Sequence, residues 1–109
     1  MKDVDLGWTT ADAEDPTLSY DGTDLRVEFV DWQEQLVRLV FRNCHMFSWE
    51  EIPASFELWP DRTYSCTGSS WQGADSVKPE QLKHWVLCFN ASYFWLQVLA
   101  ERLERESVR

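Results

Sequence analysis

Five residues of this 109-residue chain have the chemistry to hold a soft metal ion or to pair a nucleophile with a base: Cys44, His45, Cys66, His84 and Cys88. Their spacing argues against a metal. Cys44 and His45 are adjacent, and adjacent residues of a strand point to opposite faces. His84 and Cys88 share one face of a strand but stand roughly 13 Å apart at about 3.3 Å per residue. The ligands of one zinc ion all lie about 2.0–2.3 Å from it, so this pair could chelate only from a helix, and the surrounding residues do not read as one. No metal and no cofactor are expected.

Nucleophilic chemistry is equally unsupported. Ser65, Cys66, Ser69 and Ser70 lie near Gly68, but Thr67-Gly68-Ser69-Ser70-Trp71 is not the Gly-x-Ser-x-Gly elbow of a serine hydrolase. Four glycines supply no phosphate-cradling loop. The paired carboxylates Glu50-Glu51 read as a solvated face. The three cysteines are odd in number and form no CxxC pair, which fits small, reduced, part-buried residues. The chain reads as non-enzymatic.

Tryptophan is the unusual feature, with seven residues at positions 8, 32, 49, 59, 71, 85 and 95. Trp85 sits in a strongly alternating strand and belongs to the core. Trp32 falls in a polar turn, Trp59 beside Pro60, and Trp71 in a loop of small residues. Proline and glycine force the last two out of a sheet. Surface aromatics mark binding patches because they bury much area at little entropic cost. The competing reading folds the loop tryptophans back as plugs. The acids Glu57, Asp61 and Asp75 would rim such a patch, so the candidate interaction residues are Trp32, Glu57, Trp59, Asp61, Trp71 and Asp75.

The formal charge of −9, from 19 acids against 10 Lys and Arg, disfavours nucleic acid, whose phosphates must be met by cations. It disfavours an anionic membrane for the same reason. It suits a basic protein surface, although the same charge would also serve solubility alone. The apolar runs are shorter than the roughly 20 residues that cross a bilayer, and Met1 to Asp5 has no apolar stretch of the signal-peptide kind. The cytoplasm is the expected compartment.

The elements that must carry these residues read as β. Residues 1–15 look like a solvated acidic arm in which Trp8 is the exception, able to fold back. Residues 16–109 form a single antiparallel domain. Thr17 to Tyr20 is a short strand, followed by Asp21-Gly22, which takes the positive φ angles of a hairpin turn. Leu25, Val27 and Phe29 alternate with Arg26 and Glu28, the two-residue period of a half-buried strand. Asp31 to Glu34 turns the chain. Val37, Leu39 and Phe41 then alternate with Arg38 and Arg42, while Leu36 and Val40 share the arginine face and imply partial cover there. Asn43 marks a bend before the run from Cys44 to Glu50.

Pro53 and Pro60 stop ladder formation between Glu51 and Asp61. Arg62 to Cys66 is a short strand, Thr67 to Val77 the longest loop, and Pro79 to Leu82 one helical turn. Trp85, Leu87 and Phe89 share a strand face. Tyr93 to Ala100 reads as a strand in preference to a helix capped by Ser92, and Glu101 to Arg109 as a short helix or frayed tail. The expected fold is mainly β, an antiparallel meander closing into a small barrel or sandwich, with at most one or two short helices.

Over most of the chain, the succession Leu25-Arg26-Val27-Glu28-Phe29, Val37-Arg38-Leu39-Val40-Phe41, Phe47-Ser48-Trp49, Ser70-Trp71 and His84 to Asn90 before a final strand resembles small bacterial domains, some of them immunity-type proteins that neutralise toxins. That resemblance implies no catalytic motif and an acidity matched to a basic toxin. The expected function is a protein-interaction domain, an immunity-type inhibitor being one form of it. The alternative is a small-ligand binder with an aromatic-lined barrel mouth.

Overall fold

In a computed structural model the chain is described over residues 1–66 and 82–106. Among the described residues nine strands follow in order: β1 (Lys2–Asp3), β2 (Thr17–Tyr20), β3 (Leu25–Val30), β4 (Leu36–Arg42), β5 (Met46–Glu51), β6 (Thr63–Cys66), β7 (Lys83–Phe89), β8 (Phe94–Ala100) and β9 (Arg102–Glu106). They build two antiparallel sheets, β1-β6-β7-β8-β5 and β2-β3-β4-β9. The sheets pack as a sandwich and do not close into a barrel. No helix occurs among the described residues. The longest predicted loop, with Trp71 and Asp75, and the start of the predicted helical turn at Pro79 lie outside the described residues.

The alternation read in the sequence becomes the inter-sheet core. Leu25, Val27 and Phe29 of β3 meet Val37, Leu39 and Phe41 of β4, and the opposing sheet adds Trp85, Leu87, Phe89, Leu96 and Val98. The Phe29 and Phe89 rings meet edge to face across the sandwich at 5.3 Å, as do Phe41 and Trp85 at 5.5 Å, a favoured aromatic geometry. On the outer face of β3 and β4 the charges pair across strands. Glu28 and Arg38 are register partners bridged at 3.0 Å, and Arg42 joins Asp24 at 2.9 Å and Glu104 at 3.0 Å. Val40 is fully buried on this face, in register between Arg26 and Glu104, where long charged side chains cover apolar surface with their stems.

Only parts of the chain meander. The β2-β3-β4 and β6-β7-β8 runs pair as successive antiparallel neighbours, but the chain changes sheet between β1 and β2, between β4 and β5 and again between β8 and β9. Asn43, at φ 51°, lies at the change between β4 and β5, so the bend expected there is a step from one sheet to the other. Gly22 takes φ 95° in the β2-β3 turn, and Asp21 Oδ1 accepts from the N–H groups of Thr23 and Asp24 at 2.9 and 2.7 Å. The tail expected after Glu101 as a helix or frayed end is instead β9, paired to β4 from Arg102 to Glu106. A one-residue break at Glu101, whose N–H reaches Arg42 O at 3.0 Å, sends the polar Arg102 to Glu106 run to an edge, where charged residues discourage further pairing.

Two stretches that looked loose are held. Residues 1–15, expected as a solvated arm, are bound along the domain. β1 pairs with β6, Val4 N–H donates to Thr63 O, and Glu14 N–H donates to Val30 O at 2.9 Å. Asp12 and Asn90 exchange two hydrogen bonds of 2.7 and 3.0 Å. Thr10 is wholly buried and its hydroxyl donates to Cys88 O in the central strand β7. The proline-bearing β5-β6 connection likewise closes a second core on the outer face of its sheet. Ile52 and Phe56 there pack on Tyr64, Val86, Cys88 and Trp95. β7 is therefore buried on both faces.

Candidate functional site

The β3-β4 hairpin and the β5-β6 connection bring Trp32 and Trp59 to the same end of the sandwich, with the residue 5–9 segment between them. At the hairpin, Glu34 N–H donates to Asp31 O at 3.0 Å and Asp31 N–H to Gln35 O at 2.9 Å. Asp31 Oδ1 accepts from the N–H groups of Gln33 and Gln35, each at 2.9 Å. This is a type I turn followed by a left-handed residue, Glu34 at φ 61°. Trp32 occupies the first central position of the turn, which points it away from both strands and leaves it 60 % exposed.

Beside Trp32 lies a groove of about 390 Å³. The Trp8 indole forms one wall, set edge to face against core Phe29 at 6.1 Å. Asp5, Asp31, Gln33, Gln35 and Arg105 supply the polar lining. Asp5 Oδ1 accepts from Gly7 N–H at 3.1 Å, and Arg105 donates to Gly7 O at 3.4 Å. On the other side of Trp8 a second hollow of about 220 Å³ shares Asp5, Trp8 and Thr9 with the first and continues to Asp61, Arg62 and Thr63. The two hollows are separate but adjoin along the residue 5–9 segment, a polar channel in two parts.

Trp59 stands beyond this channel at 64 % exposure. Its carbonyl accepts from the Tyr64 hydroxyl at 2.8 Å, and the Arg62 guanidinium sits 5.7 Å from its ring centre, within cation–π range. Arg62 in turn bridges Asp3 at 2.8 Å. Glu57 and Leu58 are exposed beside it, along a hollow of about 360 Å³ that runs over Phe56 and Trp95. Asp61, unlike Glu57, is half-buried, 3.8 Å from the cation of Arg62. Trp71 and Asp75 lie outside the described residues.

The residues with reactive side chains are placed elsewhere. His84 is buried and its Nε2 lies 2.9 Å from Gln97 Oε1; burial pulls its pKa below the usual histidine value, against the opposing effect of that hydrogen bond. Burial drives the Cys88 thiol up to about 12 and the Cys44 thiol up to about 11, the opposite of what a reactive thiolate needs. No cluster of three or more His, Cys, Asp or Glu that could hold a metal ion occurs among the described residues, nor does a helix long and apolar enough to cross a membrane.

Trp32, Glu57 and Trp59 are surface residues; for the two tryptophans the sequence left a surface patch and a plug both open. Trp8, Asp5, Arg62 and Arg105 were missed. Trp8 was the one aromatic residue in an arm otherwise read as solvated, and its isolation there was the available signal. Comparison of the chain with protein-family models, with curated proteins and with solved structures returns no match in any of the three.

Proposed function

We propose that the protein is a non-enzymatic interaction domain that binds a basic protein through the face around Trp59. The observation that carries this reading is an indole 64 % exposed whose backbone carbonyl is held by the Tyr64 hydroxyl and whose ring has the Arg62 guanidinium against it. An exposed tryptophan has few side-chain torsions to lose on binding and gains a large apolar contact. Leu58 extends the apolar surface, and Glu57 adds negative charge at its rim. The net charge of −9 favours a cationic protein and steers its approach. Neutralising a basic toxin in the cytoplasm, as an immunity-type inhibitor does, is one form of this function.

Site-specific photo-crosslinking tests it, with a benzophenone side chain at position 59 and a control at Arg102 on the β9 edge. The expected product is a basic protein captured at position 59 and not at 102. Capture should fall with rising salt and in Glu57→Lys. Trp59→Ala should weaken binding by about 2 kcal/mol or more while changing folding stability by less than about 0.5 kcal/mol. A stability loss of about 3 kcal/mol would make Trp59 a plug of the core and end the proposal.

A further inference from the structure

The polar channel at Trp32 is a site of a different kind from the Trp59 face, and its chemistry selects a different ligand. Trp32 presents a flat indole to water on a turn held by the Asp31 carboxylate and four backbone hydrogen-bond donors, the N–H groups of Asp31, Gln33, Glu34 and Gln35. Trp8 offers a second ring, backed by the core. Around them donors and acceptors alternate. Asp5 and Asp31 accept, Arg105 donates, and the Gln33 side chain does both. Each carboxylate spends one oxygen on backbone N–H groups and makes no further hydrogen bond among the described residues with the other.

This mixture discriminates among ligand classes. A phosphate or carboxylate would meet two carboxylates. A bare cation would meet the Arg105 guanidinium. A purely apolar molecule would strip water from Asp5, Asp31 and Arg105 without replacing its hydrogen bonds, at a cost that cancels the contact with the rings. A neutral polyhydroxylated ring fits all of it. Each hydroxyl both donates and accepts, and the C–H face of the ring covers an indole. The second hollow adjoins the first along Asp5, Trp8 and Thr9 and reaches Arg62. Two adjoining hollows suit linked units better than a single ring.

We propose that this channel binds a neutral oligosaccharide, with one sugar ring stacked on Trp32 and the following units running past Trp8 toward Arg62. The inference is independent of the protein-interaction reading, since Trp59 does not line the channel.

Isothermal titration and intrinsic fluorescence, with cellohexaose, maltohexaose, mannohexaose and the hexamer of β-1,4-linked N-acetylglucosamine as probes, test it. At least one probe should bind saturably, and its monosaccharide should bind more weakly. Trp32→Ala should weaken binding by at least about tenfold, Trp32→Phe by less, and Trp59→Ala not at all. Thermal melts should show each variant folded, as expected for changes at exposed positions. Absence of saturable binding to all four probes at millimolar concentration would overturn the proposal. So would binding that survives Trp32→Ala, or Trp32-dependent binding of tetramethylammonium in place of the sugars, which would make the channel a cation cage.

Discussion

Replacing Thr10 by Val tests whether the residue 5–14 segment is an integral part of the domain, and therefore whether the channel it walls is a fixed structure. Thr10 has no solvent exposure and its hydroxyl donates to Cys88 O, in a strand buried on both faces. Valine keeps the volume and removes the donor, so the Cys88 carbonyl is left buried and unpaired. Leaving such a group unsatisfied costs about 1–3 kcal/mol. For a domain of this size each kcal/mol moves the melting temperature by about 4–8 °C, so Thr10→Val should melt at least about 4 °C below the parent. Thr10→Ser keeps the hydroxyl and loses one methyl group, worth about 1 kcal/mol, and reports the packing contribution by itself. Urea denaturation at several protein concentrations, followed by fluorescence, gives both values. A Thr10→Val protein within about 0.5 kcal/mol of the parent would refute the argument, because the segment would then contribute nothing through its buried hydroxyl.

Three further outcomes are expected. Glu34→Gly should stabilise the β3-β4 hairpin by about 1 kcal/mol, since a non-glycine residue at φ 61° is strained there; a denaturant midpoint that falls would contradict this. His84, with its folded pKa held below 6.5 by burial, disfavours its charged form in the fold. Its contribution to stability is therefore complete above the unfolded value near 6.5 and declines as the pH falls toward the folded value, so His84→Gln should flatten the stability loss between pH 7.5 and 5.5, and parallel melting curves for the two proteins would count against it. Cys44 and Cys88, with thiols at about 11 and 12, should resist iodoacetamide at pH 8 in the native protein and react fully in urea, while the half-buried Cys66 reacts first; mass spectrometry reads the order.

What the sequence by itself determined was local. Leu25-Val27-Phe29 and Val37-Leu39-Phe41 must face one core because strand side chains alternate with period two, and Asp21-Gly22 must turn because glycine takes positive φ without strain. The place of Trp32 in a turn was readable for the same reason, but whether its ring folded back as a plug or stood in solvent was decided by the tertiary structure, which leaves it exposed. What only the tertiary structure decided was long-range. The polar run Arg102 to Glu106 has no apolar period to mark it as a strand, and it becomes β9 because β4 offers an unpaired edge to it. Residues 1–15 look solvated in composition, yet Thr10 and Ala13 are buried because their partners stand in β7 and in the inter-sheet core. The channel joins residues from the first turn of the chain, the β3-β4 hairpin and β9. No spacing along the sequence encodes that meeting, because it is set by the packing of two sheets between which the chain crosses repeatedly.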